Sequence, residues 1–248
     1  MLEGTVAAIS GAASKRGIGL AIARAMADQG ARVAVLDLDA AAAQQAADTL
    51  GDGHLGVACD VTDAAQCQSA IDAVAQRLGP VDILVNNAGI TQPLKTMEIG
   101  RAEYDAVTDV NLRGTLQLSQ AVIPGMRERG RGSIVCMSSV SAQRGGGIFG
   151  GPHYSAAKAG ILGLMRNMAR ELGADGIRVN AICPGLIETD ITGGALTDDR
   201  KAEICRGIPL GRVGQPSDVA GACVFLASDL AAYVTGAVID VNGGMHIH

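Results

Sequence analysis

Tyr154 and Lys158, in the stretch "YSAAK", stand four residues apart. On a helix that spacing puts a phenol and an ammonium on one face, a turn apart. A phenol with its reference pKa of about 10 is a poor base at neutral pH, and a neighbouring ammonium lowers it. Tyr154 is therefore a candidate general acid–base toward an alcohol or carbonyl oxygen. Upstream, "MSSVS" carries three hydroxyls, on Ser138, Ser139 and Ser141, that could bond the same oxygen. Taken alone, a tyrosine four residues before a lysine also fits an ordinary amphipathic helix.

A second constellation lies near the start, in "SGAASKRGIGLA", Ser10 to Ala21. It follows an apolar run and opens a helical pattern, the setting of a phosphate-binding turn. Gly11, Gly17 and Gly19 would let the backbone approach a pyrophosphate, and the helix N-terminus supplies free N–H groups. About twenty residues on, "VAVLDLD" ends with Asp37 placed to accept both hydroxyls of an adenosine ribose. A carboxylate there repels a 2′-phosphate, which favours NAD over NADP. Lys15 and Arg16 inside the turn point the other way, although cations there also serve the pyrophosphate that both cofactors share. Asp37 could instead cap the next helix, a role Asp39 fills better. Asp60, in "CDVTD", could bond the adenine amino group or cap the helix that follows. "NNAG", Asn86 to Gly89, ends a further apolar run where a backbone must pass close to a ligand or a strand.

The elements that must position these residues are legible in the patterning. Short β-branched runs at 5–10, 32–39, 54–61, 81–89, 132–139, 177–185 and 237–244 alternate with helical stretches at 18–29, 40–50, 63–78, 101–129, 153–172 and 216–227. That alternation implies an α/β Rossmann-type domain, a doubly wound seven-stranded parallel sheet with helices on both faces. No linker interrupts it, so 1–248 reads as one domain. Between 187 and 214 the pattern loosens into an irregular segment, either a substrate lid or a surface loop.

Nearly half the residues are apolar, but there are only two Phe, three Tyr and no Trp, so the core must be aliphatic. The formal charge of −5 and the lack of a basic stripe with interleaved aromatics argue against nucleic acid as a partner. Arg127, Arg129 and Arg131 read as a solvated helix end. No leader and no run of membrane-spanning length is visible, so a cytoplasmic protein is expected. Six scattered cysteines without a C-x-x-C pair read as reduced thiols, not zinc ligands. His246 and His248 lack a companion ligand, so no metal site is expected.

Seven motifs in order, "SGAASKRGIG", "CDV", "NNAG", "DVNLRG", "SSVS" with "YSAAK", "PGLIET" and "VNGG", resemble those of the short-chain dehydrogenase/reductase family over nearly the whole chain. The resemblance implies reversible hydride transfer between a nicotinamide cofactor and an alcohol/carbonyl pair. It implies that Tyr154 exchanges the proton of the substrate oxygen, Lys158 depresses its pKa and bonds the nicotinamide ribose, and Ser139 holds the oxygen. Asn111 would keep a water joining Lys158 to solvent. Around the phosphates the implied cofactor contacts are Gly11, Ser14, Arg16, Gly17, Ile18 and Gly19. Asp37, Asp60 and Val61 would hold the adenosine, and Asn87, Ala88 and Gly89 would pass beneath the cofactor. Pro184, Gly185, Ile187 and Thr189 would meet the nicotinamide end. A homotetramer is implied, with contacts through 101–129, 153–172 and the last strand.

The sequence departs from the family pattern at two places. The glycine turn is two residues longer than usual and begins with Ser10 in place of threonine. Ser139 lies fifteen residues before Tyr154, two more than is common, and the usual spacing would select Ser141. A lengthened loop, "RGGGIFGGP" at 144–152, absorbs two residues and favours Ser139, leaving Ser141 for the substrate pocket. Arg144 and His153 join Ser141 as substrate candidates, beside Gln143, Ile148 and Phe149; Arg144 could equally be a solvated loop charge. The expected substrate is a small polyol, sugar or hydroxy acid with NAD. A 3-oxoacyl thioester reductase is the runner-up, and a non-catalytic nucleotide-binding sensor the reading from another class.

Overall fold

Seven strands form one parallel sheet in the order β3-β2-β1-β4-β5-β6-β7, in a computed structural model that describes residues 1–146, 149–190 and 197–248. The strands are β1 Val6–Ser10, β2 Arg32–Asp37, β3 Leu55–Ala58, β4 Ile83–Asn86, β5 Gly132–Met137, β6 Ile177–Pro184 and β7 Val238–Val241. The helices between them are α1 Ile18–Asp28, α2 Ala40–Asp48, α3 Ala64–Arg77, α4 Arg101–Thr108, α5 Gly114–Arg129, α6 Ser141–Arg144, α7 Pro152–Leu172, α8 Asp198–Cys205 and α9 Pro216–Ala227. This is the doubly wound fold expected from the alternation.

Each central strand is buried on both faces, which is why it reads as a continuous aliphatic run. In β1, Val6 and Ala8 pack into the layer with α3, α5 and α7, while Ala7 and Ile9 pack into the layer with α1, α2 and α9. Strand order reverses between β1 and β4. There the loops following the two strands diverge to opposite sides and leave a crevice at their carboxyl ends, the place where ligands bind in open sheets.

Several local expectations change. The stretch 81–89 is strand only to Asn86; Asn87 to Gly89 leave the sheet to bond the end of β1. The helix expected over 101–129 is broken by one π-helical turn, Asp109–Arg113, whose wider pitch turns Asn111 inward to full burial. The irregular segment 187–214 contains α8, too polar to announce itself; residues 191–196 and Ile148 lie outside the described residues. Asp39 caps α2 and Asp63 caps α3, so neither Asp37 nor Asp60 is occupied as a helix cap. The Arg127–Arg131 cluster is not merely solvated. Arg127 pairs with Asp175 and Glu171, and Arg131 with Asp82, tying the end of α5 to neighbouring elements.

The junction of β1 and β4 is fixed by Ser10. Its buried Oγ accepts from the Asn87 and Ala88 N–H groups, both at 3.1 Å, and the Asn87 side chain donates back to the Ser10 and Gly11 carbonyls at 2.9 Å. Without that oxygen, Ala88 N–H loses its acceptor and Asn87 N–H keeps only the Val85 carbonyl. Ser10→Ala should therefore cost about 1–3 kcal/mol in urea unfolding; unchanged stability would show that the junction holds without it.

Candidate active site

The crevice at the strand ends is a cleft of about 890 Å³ running from Asp37 and Leu38 to Tyr154 and Phe149. At its first end, β1 runs into Gly11, whose φ of +63° and close fit both require glycine. A Cβ there would lie 2.7 Å from the Ala88 Cα. Gly17 precedes α1 without a side-chain cap, so the first N–H groups of the helix are left by the turn's side chains for a ligand. Asp37 accepts from Ala13 N–H at 2.8 Å and from Leu38 N–H at 2.9 Å. A carboxylate has about four lone-pair sites, so Asp37 keeps acceptor capacity toward the cleft. Asp60 accepts from the Thr62 N–H and hydroxyl and also faces the cleft.

At the other end, α7 projects Tyr154 and Lys158 from one face. Lys158 is buried, with its ammonium 5.8 Å from the tyrosine ring centroid and donating to the Met137 carbonyl at 2.8 Å. Burial pulls its pKa down to about 8. Burial also pushes the Tyr154 phenol up, against the hydrogen bond with the Ser139 hydroxyl that draws it down. Burial dominates, so the phenol lies above its ordinary value and not below it as expected from Lys158. Ser139 is the serine that draws the Tyr154 pKa down; its Oγ accepts from Ser141 N–H at 3.1 Å, at the start of α6.

Asn111 donates to the Ile90 and Val107 carbonyls at 2.9 and 2.8 Å, leaving its Oδ1 buried without a partner. A Cβ on Gly89 would lie 2.6 Å from that oxygen and 3.3 Å from the Lys158 Nζ. The glycine thus keeps open a space shared by Asn111 and Lys158. A relay supports the π-turn from β4. Asn86 donates to the Ser119 hydroxyl, Ser119 to the Thr115 carbonyl, and the Thr115 hydroxyl to the Asn111 carbonyl.

The cleft brings together Asn111, Ser139, Tyr154 and Lys158. It also gathers Gly11, Ser14, Gly17, Ile18, Asp37, Asp60, Val61, Asn87, Ala88, Gly89, Pro184, Gly185, Ile187 and Thr189. Ser141, Arg144 and Phe149 join them on the substrate side. Four expected residues among those described do not line it. Gly19 packs against Asn87 and the Gly11 carbonyl, and Arg16 reaches across the rim to Asp190. His153 is buried with its Nε2 3.1 Å from Gln92 Oε1, because consecutive helical residues point about 100° apart and Tyr154 takes the cleft side. Gln143 likewise turns aside to Asp240.

Sequence reasoning missed Ile90, Thr91, Leu186 and Met245 among the lining residues, whereas Asp190, Glu203 and Ile204 fall within the segment 187–214 expected as a substrate lid. Ile90 and Thr91 directly follow "NNAG", and Asp190 directly follows "PGLIET", which was the available signal. Met245 had none. The tail reaches the cleft because Asn242 bonds the His246 carbonyl and Arg144 donates to the Met245 carbonyl.

Comparison with known proteins agrees with this geometry. The family described as enoyl-(acyl carrier protein) reductase matches residues 11–246. An uncharacterized short-chain type dehydrogenase/reductase, y4mP, of Sinorhizobium fredii is 60% identical, with all of both chains covered. The 3-oxoacyl-[acyl-carrier-protein] reductase FabG of Vibrio cholerae is 42% identical over 99% of each chain. The D-threitol dehydrogenase of Mycolicibacterium smegmatis is also 42% identical, over 99% of this chain and 94% of that one. A crystal structure of a short-chain type dehydrogenase/reductase from Mycobacterium marinum superposes with a TM-score of 0.93 at 34% identity, covering 100% of this chain and 97% of that one. With the glycine turn, the Asn111–Ser139–Tyr154–Lys158 set and these relatives in agreement, the chain belongs to the short-chain dehydrogenase/reductase family, oxidoreductases that use a nicotinamide cofactor.

Proposed function

We propose that the protein moves a hydride reversibly between NAD(H) and a small polyol, sugar or hydroxy acid and its carbonyl partner. The observation that carries the reading is the meeting of Ser139, Tyr154 and Lys158 in one cleft with the open end of α1 and Asp37. Two features fit a dinucleotide. The Gly11–Ala88 approach leaves a backbone floor that a Cβ would fill, and Asn111 Oδ1 is a buried acceptor without a partner. Gly11, Ser14, Gly17 and Ile18 would hold the pyrophosphate, Asp37 and Asp60 the adenosine, and Gly185, Ile187 and Thr189 the nicotinamide end. When bound, the nicotinamide supplies the hydride acceptor or donor.

The chain's own residues handle the proton. Tyr154 Oη gives a proton to the carbonyl oxygen in reduction and takes it from the hydroxyl in oxidation. Ser139 orients that oxygen and stabilises its charge. Burial keeps the phenol protonated at neutral pH, which suits the donor role. Lys158 carries positive charge behind the phenol, and the space at Gly89 between it and Asn111 offers a proton route away from the cleft. Asp37 supports NAD. The mixed polar groups at the reacting end, Thr91, Ser141 and Arg144, support a small polar substrate.

A second reading, a 3-oxoacyl thioester reductase, is favoured by the FabG similarity and by the family description. One screen separates them. Polyols, sugars and hydroxy acids with NAD, and 3-oxoacyl thioesters with NADPH, are followed by the absorbance of the reduced cofactor. Turnover confined to the thioesters with NADPH would overturn the proposal, and tight NAD binding with no turnover of any substrate would point to a sensor. We also propose a cytoplasmic homotetramer. Among the described residues no helix is long and apolar enough to cross a membrane, and β7 leaves one edge of the sheet unpaired.

The serine assignment has its own test. Ser139→Ala should lower kcat roughly 10²- to 10³-fold, while Ser141→Ala acts mainly on KM; loss of turnover only in the Ser141 variant would reverse the roles.

Lys158 also has a cost to stability. Its folded pKa of about 8 lies below the ordinary 10.5, so between these values the unfolded chain binds more protons and stability rises with pH. Below pH 8 the full penalty of a buried cation is present. Lys158→Met should abolish turnover yet stabilise the fold at pH 7 by about 1–3 kcal/mol, a gain that fades as pH rises from 8 to 10.5. Thermal or urea unfolding across that range checks the sign; a destabilised variant at pH 7 would refute it.

A further inference from the structure

Asp190 lies just beyond the motif "PGLIET", and no role in the chemistry above uses it. Its carboxylate receives two groups from the glycine turn, 176 residues away in sequence. The Ser14 hydroxyl donates to one oxygen at 3.2 Å, and the Arg16 guanidinium lies 3.6 Å from the other. Asp190 lines the cleft, whereas Arg16, the turn's cation beside Lys15, does not. Arg16 also helps hold the neighbouring Glu188 carboxyl below the usual carboxylate range, behind the larger effects of Lys201 and Gln215. The guanidinium is therefore committed to the Glu188–Asp190 side of the turn. On the adenosine side Asp37 meets the turn through Ala13 N–H and forms no ion pair among the described residues.

We propose that Asp190 is a cofactor-specificity residue: it retains Arg16 on its own side of the glycine turn, away from the ribose position that Asp37 faces. The inference rests on the reading of Asp37 as the ribose-binding carboxylate. Discrimination against a 2′-phosphate then has two parts. Asp37 repels the phosphate, and Asp190 withholds the one arginine of the turn that could neutralise it. An arginine is the natural partner for a phosphate because its guanidinium is always charged and forked. Asp190 touches no reacting atom in this scheme; it acts through the position of Arg16.

Calorimetric titration of the substrate-free protein with NAD and with NADP tests this without relying on turnover. The variants are Asp190→Asn, Arg16→Ala and the two combined, each also in an Asp37→Ala background. Asp190→Asn should shift the ratio of the two dissociation constants toward NADP by roughly two- to fivefold, the range carried by an exposed ion pair. The shift should vanish when Arg16 is also alanine, and should be larger in the Asp37→Ala background, where the repulsion is gone. If Asp190→Asn weakens both cofactors equally, Asp190 only fastens the loop; if the shift survives without Arg16, the route through Arg16 is wrong. Wild-type preference for NADP would instead sink the NAD reading. The Arg16 dependence of the Asp190→Asn effect would still decide the inference in that case.

Discussion

The site depends on how closely the ends of β1 and β4 approach at the point where strand order reverses. Two loops leave the sheet there, one to the glycine turn and one to Asn87–Gly89, and their backbones meet with Gly11 against Ala88. Such contact exposes unpaired main-chain groups, so it needs acceptors and donors of its own. Ser10 and Asn87 supply them reciprocally, each bonding the backbone of the other strand's extension. The floor of the cleft is therefore a pair of strand extensions bonded to each other. The same stretch ends at Gly89, whose missing side chain opens the space between Asn111 and Lys158. One junction thus sets both the phosphate end and the proton-transfer end.

Electrostatics at the reacting end follow from burial more than from pairing. A lysine bonded to a single carbonyl, with no carboxylate partner, is an expensive group to hold. Its depressed pKa is the measure of that expense. The surrounding sheet offsets it: Met137 ends β5 in register with Ile182, the Ser138 N–H bonds the Ile182 carbonyl, and the Ser138 hydroxyl fixes the Lys158 carbonyl. The phenol responds to the same dry environment in the opposite direction. A tyrosine raised above its ordinary value and a lysine lowered to about 8 stand further apart in proton affinity than in water, so the phenol holds its proton more firmly than the ammonium beside it.

Most of this was legible in the residues. The strands and helices followed from aliphatic runs and turn chemistry, and the four reacting residues from spacing and family resemblance. What stayed hidden involved rotation and long-range contact. His153 sits beside Tyr154 in sequence, yet one helical step turns it out of the cleft. Asn111 enters the site through a π-turn whose residues "DVNLR" carry no local sign of the wider pitch. Met245 arrives from the chain end, held by bonds to Arg144 and within the tail. Helix α8 escaped notice because "DDRKAEIC" has little apolar periodicity; its start is marked by the Thr197 cap, which accepts from Arg200 N–H.

The segment after β6 shows how selectivity can vary over a fixed floor. Its two roots are clamped to each other. Glu188 N–H bonds the Gly214 carbonyl, Gly214 N–H bonds the Leu186 carbonyl, and the Glu188 carboxylate holds both Lys201 and Gln215. Arg212 and Asp218 brace the exit at 2.6 Å. Between those roots α8 presents Glu203 and Ile204 to the cleft, opposite groups carried by the sheet and by α6. Under the proposed function, changes in α8 would alter what meets the substrate without disturbing the strand ends assigned to the dinucleotide.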